Sequence, residues 1–229
     1  MIILVTGSSR GIGKKISEFF LNENHTVIGC SRGESNIQHI NYHHFSLSVS
    51  DEEAVLKLFL FLRKEIGKLD VLINNAGIAS MNHSILTPIK TARNILEVNV
   101  LGNFLFSRES AKIMKKQKWG RIINFVTFAI PFKLEGEAIY AASKAAVVTL
   151  TEILSREYAG YGITVNAIAP PAVKTDLIKG VPDDTLNKLL SRQAIHRYGT
   201  PDEIYDLIKY LVKPESDMIT GQTIYMGGV

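Results

Sequence analysis

The sequence contains almost no cysteine: Cys30 is the only one among its 229 residues. A single thiol excludes a disulfide within the chain, which is typical of proteins in a reducing compartment. The sequence also lacks any run of the roughly 18 to 20 apolar residues that a membrane-spanning helix needs. Its apolar start, residues 1–5, follows no basic segment and is too short for a signal peptide, so it indicates a first strand. We therefore expect a cytoplasmic protein.

A strong charge of one sign is absent too, since the formal net charge is +4. Nucleic-acid binding needs a stronger basic footprint with interleaved aromatic residues, and we do not expect it. One local cluster of cations consists of Lys112, Lys115, Lys116, Lys118 and Arg121. Such a cluster favours a solvated helix end, and the alternative is a docking patch for an acidic carrier protein or a phosphate-bearing substrate. The clustered His39, His43 and His44 lack supporting carboxylates or cysteines, so we expect no metal site.

The chain has no internal repeat, low-complexity tract or linker, which predicts one domain over residues 1–229. Short apolar, β-rich runs alternate with longer helical patterns, and this alternation predicts an α/β fold with a doubly wound parallel sheet. The predicted strands are Ile2–Thr6, Thr26–Cys30, His44–Leu47, Val71–Asn74, Arg121–Val126, Thr164–Ala169 and Thr223–Met226. The predicted helices are Ile12–Leu21, Glu52–Ile66, Thr91–Lys116, Tyr140–Tyr158 and Pro201–Leu211.

The connection between the second and third predicted strands lacks a helical pattern. Two parallel strands are normally joined by a crossover of about a dozen residues, usually a helix. Residues 31–43 show no helical pattern, so we predict a loop or a single turn there. Such a loop would leave the neighbouring end of a ligand site more open.

A glycine-rich turn follows the first strand and opens the first helix. Such a turn lets the backbone approach a pyrophosphate, while the helix N-terminus offers free N–H groups and a positive partial charge. Spaced glycines alone also fit a plain tight turn, but their place between strand and helix favours a dinucleotide site. The expected cofactor contacts in this turn are Gly7, Ser9, Arg10, Gly11, Ile12 and Gly13.

The end of the second strand indicates which dinucleotide is bound. NAD sites tend to have an acid there for the ribose 2′-hydroxyl, whereas NADP sites use a nearby arginine for the 2′-phosphate. Here the run is Cys30-Ser31-Arg32, without an acid before Glu34. Arg32 offers a forked cation and Ser31 a hydroxyl, and Arg10 could reach the same phosphate. We expect NADP(H).

Tyr140 and Lys144 are four residues apart in a helical pattern, so they share one helix face. A phenol with a pKa near 10 is a poor acid–base group at neutral pH, but a nearby ammonium stabilises phenolate and lowers that pKa. The pair could therefore give a proton to a carbonyl oxygen that is being reduced.

These motifs together resemble the short-chain dehydrogenase/reductase family over nearly the full chain. The matching runs are Thr6-Gly7-x-x-x-Gly11-x-Gly13, Asn74-Asn75-Ala76-Gly77, Asn99, Tyr140-x-x-x-Lys144, Gly162-Ile163-Thr164-Val165-Asn166-Ala167 and Ile219-Thr220-Gly221-Gln222-Thr223-Ile224. The resemblance implies a Rossmann fold of about seven strands in the order 3-2-1-4-5-6-7. Within the family, the run 120–124 and the run 197–204 are most similar to 3-oxoacyl-[acyl-carrier-protein] reductases.

The resemblance also implies roles for particular residues. Tyr140 would donate the proton, and Lys144 would bind the nicotinamide ribose and lower the Tyr140 pKa. Asn99 would hold a water that links Lys144 to solvent. The remaining implied cofactor contacts are Asn75, Ala76 and Gly77 beside the adenosine ribose, and Val173 and Thr175 in the segment that begins at Pro170.

The sequence departs from the family pattern at several positions. Thr127 stands where the family has a serine, and its hydroxyl can still bond a carbonyl while its methyl narrows the pocket. Ser48 stands where an acid usually faces the adenine. Pro171 replaces a glycine. The 3-oxoacyl-[acyl-carrier-protein] reductases use basic residues to dock the acidic carrier protein. Two of those positions correspond to Lys118, which is basic here too, and to Tyr161, which is uncharged.

The substrate is the least determined feature. We expect a carbonyl compound, foremost a 3-oxoacyl thioester on acyl carrier protein or CoA. The run 130–139 before Tyr140 contains Lys133, Glu135 and Glu137, which keeps a keto sugar or other polar ketone open. A regulator that binds a dinucleotide without turnover is the alternative of another class. Residues 176–197 are expected to form a helical lid or a docking helix. The family implies a homotetramer, or a homodimer, paired through the third and fourth predicted helices.

Overall fold

Seven parallel strands form one sheet in the order β3-β2-β1-β4-β5-β6-β7, which confirms the predicted topology. The computed structural model describes residues 1–173 and 183–229. The central strands β1, β4, β5 and β6 are almost wholly buried, as expected where helices cover both faces of a parallel sheet, whereas the edge strand β3 is only partly buried. Their bounds are β1 Ile2–Thr6, β2 Thr26–Ser31, β3 Tyr42–Ser46, β4 Val71–Asn74, β5 Gly120–Phe125, β6 Ile163–Ala169 and β7 Thr223–Tyr225.

The helices pack on the sheet in two layers. They are α1 Gly11–Asn22, α2 Glu52–Phe61, α3 Ile89–Leu96, α4 Gly102–Gln117, α5 Ala129–Phe132, α6 Ala138–Ala159, α7 Asp183–Ser191 and α8 Pro201–Leu211. Alternate side chains of a strand face opposite layers. In β1, Ile3 and Val5 pack with apolar residues of α1 and α8, whereas Leu4 packs with those of α2, α4 and α6.

Two predicted helices are interrupted by π-helical turns. The predicted Thr91–Lys116 helix is divided into α3 and α4 by the turn Glu97–Leu101, and α2 ends in a second turn over Leu62–Ile66. A π turn shifts the helical register by one residue, and such turns frequently occur at functional sites. The turn between α3 and α4 carries Asn99.

The connection between β2 and β3 is a loop, as predicted. Residues 32–41, all of which the structure describes, contain no helix. Its glycine, Gly33, and its serine, Ser35, both lie near the end of β2. This edge of the sheet is therefore shaped by a loop instead of a crossover helix.

Helix α6 is long and apolar enough, by length and composition only, to cross a membrane, which differs from our expectation that no stretch would be. The core helix of a folded domain passes the same test, and α6 packs against β6. Its buried face contains Ser143, Lys144 and Thr151, so the face turned to the sheet is partly polar.

Two short helices lie near the expected substrate side, and of these α5 was not predicted from the sequence. Three residues separate helix α5 from the end of β5, and the helix includes the start of the run 130–139. The predicted lid, 176–197, is described only from residue 183 onward, where it contains α7; residues 174–182, including Thr175, lie outside the described residues. After α7, the Arg192 guanidinium donates to the Phe132 carbonyl at 2.6 Å and stacks on the Phe132 ring. The described part of the predicted lid therefore contacts α5.

Candidate active site

A cavity of about 770 Å³ opens at the carboxyl ends of β1, β2 and β4. In a doubly wound sheet, ligands bind where the strand order reverses, and here that point lies between β1 and β4. The volume is in the usual range for a ligand pocket. Eleven of the predicted cofactor residues line it: Gly7, Ser9, Arg10, Gly11, Ile12, Ser31, Arg32, Ser48, Asn75, Ala76 and Gly77. Five other lining residues were not predicted from the sequence: Gly33, Leu47, Val49, Ile78 and Val98.

The glycine turn presents the N-terminus of α1 to this cavity. Gly7 and Gly11 have φ of +71° and +57°, a left-handed conformation that glycine adopts without strain. Within the described residues, no side chain caps the first turn of α1, and no acid lies in that turn. Its backbone N–H groups are therefore available to an anion, which fits the pyrophosphate of a dinucleotide.

Asn75 and Thr6 hold the glycine turn in place. The Asn75 side chain donates to the carbonyl oxygens of Thr6 at 2.9 Å and Gly7 at 3.2 Å. The Thr6 hydroxyl accepts from the Ala76 backbone N–H at 3.0 Å. The residues that follow β4 therefore position those that follow β1. Gly13 lies behind the turn and not along the cavity, since a Cβ there would collide with the Gly7 carbonyl and the Asn75 side chain.

The predicted phosphate-recognition residues lie in two segments of the cavity lining, Arg10 in the glycine turn and Ser31 and Arg32 at the end of β2. Arg10 and Arg32 both line this cavity and are exposed, so both are free to turn toward a ligand. Ser31 is buried, and its hydroxyl donates to the Gly33 carbonyl at 2.8 Å. The Ser48 hydroxyl lies 2.9 Å from that of Ser50.

The predicted catalytic residues Thr127, Tyr140 and Lys144 meet beside the end of β5. Thr127 follows β5, and its side chain hydrogen-bonds that of Tyr140 in α6. The Thr127 hydroxyl also accepts from the Ala129 N–H at 3.2 Å. One helical turn along α6, the Lys144 ammonium donates to the Phe125 carbonyl at 2.8 Å. A Cβ placed on Gly77 would lie 3.3 Å from Lys144 Nζ, so the ammonium borders the wall of the cavity.

Burial dominates the titration of both groups in α6. It raises the pKa of Tyr140 to about 12, against a smaller lowering by the Thr127 hydrogen bond. It lowers the pKa of Lys144 to about 8. Without a cofactor, Tyr140 therefore keeps its proton at neutral pH. The lowering of the Tyr140 pKa that the family resemblance implies is not seen in this state.

Asn99 connects three segments of the site. Its side-chain oxygen accepts from the Ile78 N–H at 2.9 Å, and its amide donates to the Ile78 carbonyl at 2.9 Å and to Ser143 Oγ at 3.0 Å. Ser143 in turn donates to the Tyr140 carbonyl at 2.7 Å. Asn99 is 1% exposed, and the π turn directs it inward. These contacts fix the loop after β4 against the helix that carries Tyr140.

Glu137 is a charged residue near Tyr140. The sequence does not determine whether its side chain faces the substrate pocket or the solvent. It precedes α6 directly and is half-buried, and burial raises its pKa. Its charge also raises the pKa of Tyr140. The structure therefore brings a carboxyl group close to Tyr140. The remaining predicted contacts after β6 include Val173, whose side chain is 7% exposed in a core cluster, and Pro170, which is half-buried.

The predicted cationic cluster is divided by the fold. Arg121 is 1% exposed, stacks over the Trp119 ring and pairs with Asp217. It therefore cannot belong to a docking patch, and the expectation that it clusters with the lysines is wrong. Lys112 pairs with Glu109 at 2.6 Å. Lys115 contacts the Tyr161 hydroxyl at 3.3 Å and lies over its ring. Lys118, at the left-handed end of α4, is exposed.

The histidines do not form a metal site in the described part of the chain. Among residues 1–173 and 183–229, no group of three His, Cys, Asp or Glu side chains is arranged to hold a metal ion. His43 and His44 alternate on β3 and therefore face opposite sides of the sheet.

The comparison with known proteins covers nearly all of the chain. A family model described as enoyl-(acyl carrier protein) reductase matches residues 7–228. The 3-oxoacyl-[acyl-carrier-protein] reductase FabG of Vibrio cholerae is 35% identical over 233 residues, which cover 99% of this chain and 96% of the relative. FabG of Escherichia coli strain K12 is 34% identical with the same coverage. The solved structure of 4-hydroxyisoleucine dehydrogenase complexed with NADH has a TM-score of 0.89 and 29% identity, covering 99% of this chain and 97% of that one.

Proposed function

Since the chain belongs to the short-chain dehydrogenase/reductase family of oxidoreductases, which use a nicotinamide dinucleotide, we propose that it is an NADPH-dependent reductase of 3-oxoacyl thioesters. The observation that carries the reaction type is the hydrogen-bonded pair of Thr127 and Tyr140 beside the Lys144 ammonium at the cavity wall. The relatives named 3-oxoacyl-[acyl-carrier-protein] reductase support the substrate class. We propose that the protein works in the cytoplasm.

In the proposed reaction, Tyr140 and Thr127 hold the substrate oxygen. Thr127 hydrogen-bonds that oxygen, and Tyr140 gives it a proton. A bound nicotinamide would supply hydride to the carbon. The Lys144 ammonium stabilises the phenolate that remains on Tyr140. Asn99 keeps the loop after β4 in register with α6, through Ile78 and Ser143.

A turnover assay tests this proposal. NADPH oxidation is measured with acetoacetyl-CoA and acetoacetyl-acyl carrier protein against keto sugars and simple ketones, for the wild type and for Tyr140→Phe. We expect thioester turnover that falls by about 10²-fold or more in Tyr140→Phe, as for loss of a general acid, with NADPH binding retained. Turnover only on another carbonyl would discard the thioester. Tight NADPH binding without turnover on any substrate would favour the regulator.

The cofactor preference rests on Arg32, Ser31 and Arg10 in the lining of the cavity. The NADH in the structural relative belongs to that protein, so the choice needs its own test. Arg32→Asp should weaken NADPH binding by at least tenfold more than NADH binding, since it removes a cation and adds an anion beside the 2′-phosphate. Binding of both cofactors is measured by titration of their fluorescence. If Arg32→Asp weakens NADPH binding and NADH binding equally, the assignment to NADPH is overturned.

A polar ketone is the second candidate, and Glu137 is the observation that favours it. A carboxyl group beside Tyr140 can bond a substrate hydroxyl, which a simple acyl chain does not offer. Glu137→Gln separates the two candidates: keto-sugar turnover should fall in this variant, whereas thioester turnover should be kept.

We further propose that acyl carrier protein docks at the exposed lysines near the end of α4, Lys116 and Lys118, and that the chain assembles as a homotetramer. The docking surface is smaller than the sequence predicts, because Arg121 is buried and Lys112 is paired. Lys118→Glu should therefore raise the KM for the carrier-bound thioester while it leaves that for the CoA thioester unchanged.

A further inference from the structure

The loop that replaces the second crossover helix is held by one face of β3. Tyr42, His44 and Ser46 are alternate residues and therefore lie on the same face of this strand; we call them the β3 polar row. Each contacts the loop. His44 Nε2 lies 3.0 Å from the Gly33 carbonyl, the Ser46 hydroxyl donates to Glu34 at 3.0 Å, and the Tyr42 hydroxyl hydrogen-bonds Ser35.

The same row reaches across β2 to the glycine turn. The Tyr42 hydroxyl lies 3.1 Å from His44 Nδ1 and 3.0 Å from the hydroxyl of Ser8, which is fully buried in the turn. Gly29 makes this crossing possible, since a Cβ there would collide with the Tyr42 hydroxyl and Ser8 Oγ. A glycine inside a strand often marks such a close approach. The β3 polar row thus connects the loop after β2 with the glycine turn, and both segments line the cavity.

If the His44 imidazole is neutral, only one assignment of donors and acceptors satisfies every hydrogen bond in this network. The Gly33 carbonyl can only accept, so His44 Nε2 carries the proton. His44 Nδ1 then accepts from Tyr42, whose oxygen accepts from Ser8. Burial raises the pKa of Tyr42, which keeps its hydroxyl protonated. His44 Nε2 also lies 3.3 Å from Ser31 Oγ, which itself donates to the Gly33 carbonyl.

We propose that His44 is a positioning residue that sets the preference for the phosphorylated cofactor, by holding Ser31, Arg32 and Gly33 at a fixed distance from the glycine turn. This inference rests on the proposed use of NADPH. His44 touches two residues that line the cavity, Ser31 and Gly33, and is not itself part of the lining. A loop that is ordered before binding loses less entropy when it engages a ligand, and the proposed function assigns the 2′-phosphate to Arg32 in this loop.

The test compares His44→Leu with His44→Gln and uses His43→Leu as the matched control. The glutamine amide can still donate to the Gly33 carbonyl, whereas leucine cannot. His43 is exposed on the opposite face of β3 against Phe61, so its loss removes a neighbouring histidine without touching the loop contact. Dissociation constants for NADPH and NADH are measured by titration of cofactor fluorescence, together with the melting temperature of each cofactor-free variant.

We expect His44→Leu to weaken NADPH binding about tenfold and NADH binding about twofold or less, with His44→Gln and His43→Leu near the wild type, as follows if the loop acts on the 2′-phosphate alone. An unchanged NADPH-to-NADH ratio in a folded His44→Leu protein overturns the inference, whatever its melting temperature. If His44→Leu does not fold, Tyr42→Phe takes its place, since it removes the hydroxyl that donates to His44 Nδ1, and an unchanged NADPH-to-NADH ratio in that variant overturns the inference as well. The proposed function fails separately: a wild type that binds NADH as tightly as NADPH overturns the proposed cofactor, and the inference falls with it.

Discussion

At the scale of single residues, the site keeps a buried cation whose cost is measurable. Lys144 is 4% exposed and donates to the Phe125 carbonyl. Removal from water disfavours the charged form, which is why burial lowers the pKa of Lys144 to about 8. An unfolded chain binds this proton more tightly than the folded one, so the group opposes folding at neutral pH.

Lys144→Met is therefore expected to abolish turnover and to raise the melting temperature of the cofactor-free protein at pH 7. The gain should be roughly 1–2 kcal/mol, since each unit of pKa shift corresponds to about 1.4 kcal/mol and the variant also loses a hydrogen bond. The difference from the wild type should be full below about pH 8 and should shrink as the pH rises toward 10.5, where the unfolded chain also begins to lose this proton. Thermal melts from pH 7 to 10.5 measure the stability difference between Lys144→Met and the wild type. A difference that stays the same across this range would show that the buried charge of Lys144 is not its cause.

Thr127 is expected to act through its hydroxyl. Thr127→Val removes the hydrogen bond to Tyr140 and the acceptor for the Ala129 N–H. Turnover should fall by at least tenfold, roughly the value of a hydrogen bond to a reacting group. Thr127→Ser keeps both bonds and should retain turnover within about threefold, as expected when the hydroxyl alone is needed. Steady-state kinetics on the same substrate compare the two variants. Equal activity of the valine and serine variants would show that the Thr127 hydroxyl has no part in turnover.

At the scale of elements, the packing of β3 against β2 depends on Gly29, which has no side chain. His44 pairs with Gly29 in the parallel register, and the space above Gly29 is filled by the Tyr42 hydroxyl and Ser8. Overfilling a packed contact typically costs about 1–3 kcal/mol.

Gly29→Ala should lower the free energy of unfolding by roughly 1–3 kcal/mol, through this collision. Combining it with Tyr42→Phe removes the hydroxyl, so the loss caused by Gly29→Ala should be smaller in that background. Gly160→Ala is the control, because a Cβ there meets nothing within 4 Å. Urea denaturation gives the free energy of unfolding of each variant. If Gly29→Ala cost the same in the wild type and in the Tyr42→Phe background, the contact with Tyr42 would not be the cause of the loss.

At the scale of the whole molecule, several apolar side chains on α3, α4 and α6 face solvent in the single chain. Ile89, Leu96, Phe104 and Ile153 are 68%, 44%, 38% and 48% exposed. Large apolar side chains that face solvent on neighbouring helices favour association with another chain. It is the physical basis of the proposed homotetramer.

Phe104→Glu and Ile153→Glu are expected to shift the protein from tetramer toward smaller species, since each puts a charge into the proposed interface. Leu56→Glu is the matched control, because Leu56 is also 38% exposed but lies on α2, outside the proposed interface. Light scattering coupled to size exclusion measures the masses. A monomeric wild type would refute the tetramer and the dimer together.

The sequence alone determined the parallel sheet and the position of the glycine turn, because these follow from local patterns, and the family resemblance of its motifs implied the strand order. The apolar runs are periodic, and the glycine turn and the Tyr140–Lys144 pair have fixed spacings along the chain. Element ends shifted by one or two residues, and the π turn at Asn99 was missed, because it depends on packing between α3, α4 and α6.

The tertiary structure decided what distant residues do to one another. In the sequence, Arg121 has the pattern of a surface cation, yet it is buried against Trp119 and pairs with Asp217 from a distant part of the chain. The role of Gly29 could have been suspected from a glycine inside an apolar strand, but its partners could not, since Ser8 and Tyr42 meet only across three strands. Burial likewise set the pKa of Tyr140 and of Lys144, because desolvation depends on every segment packed around a group and no local spacing records it.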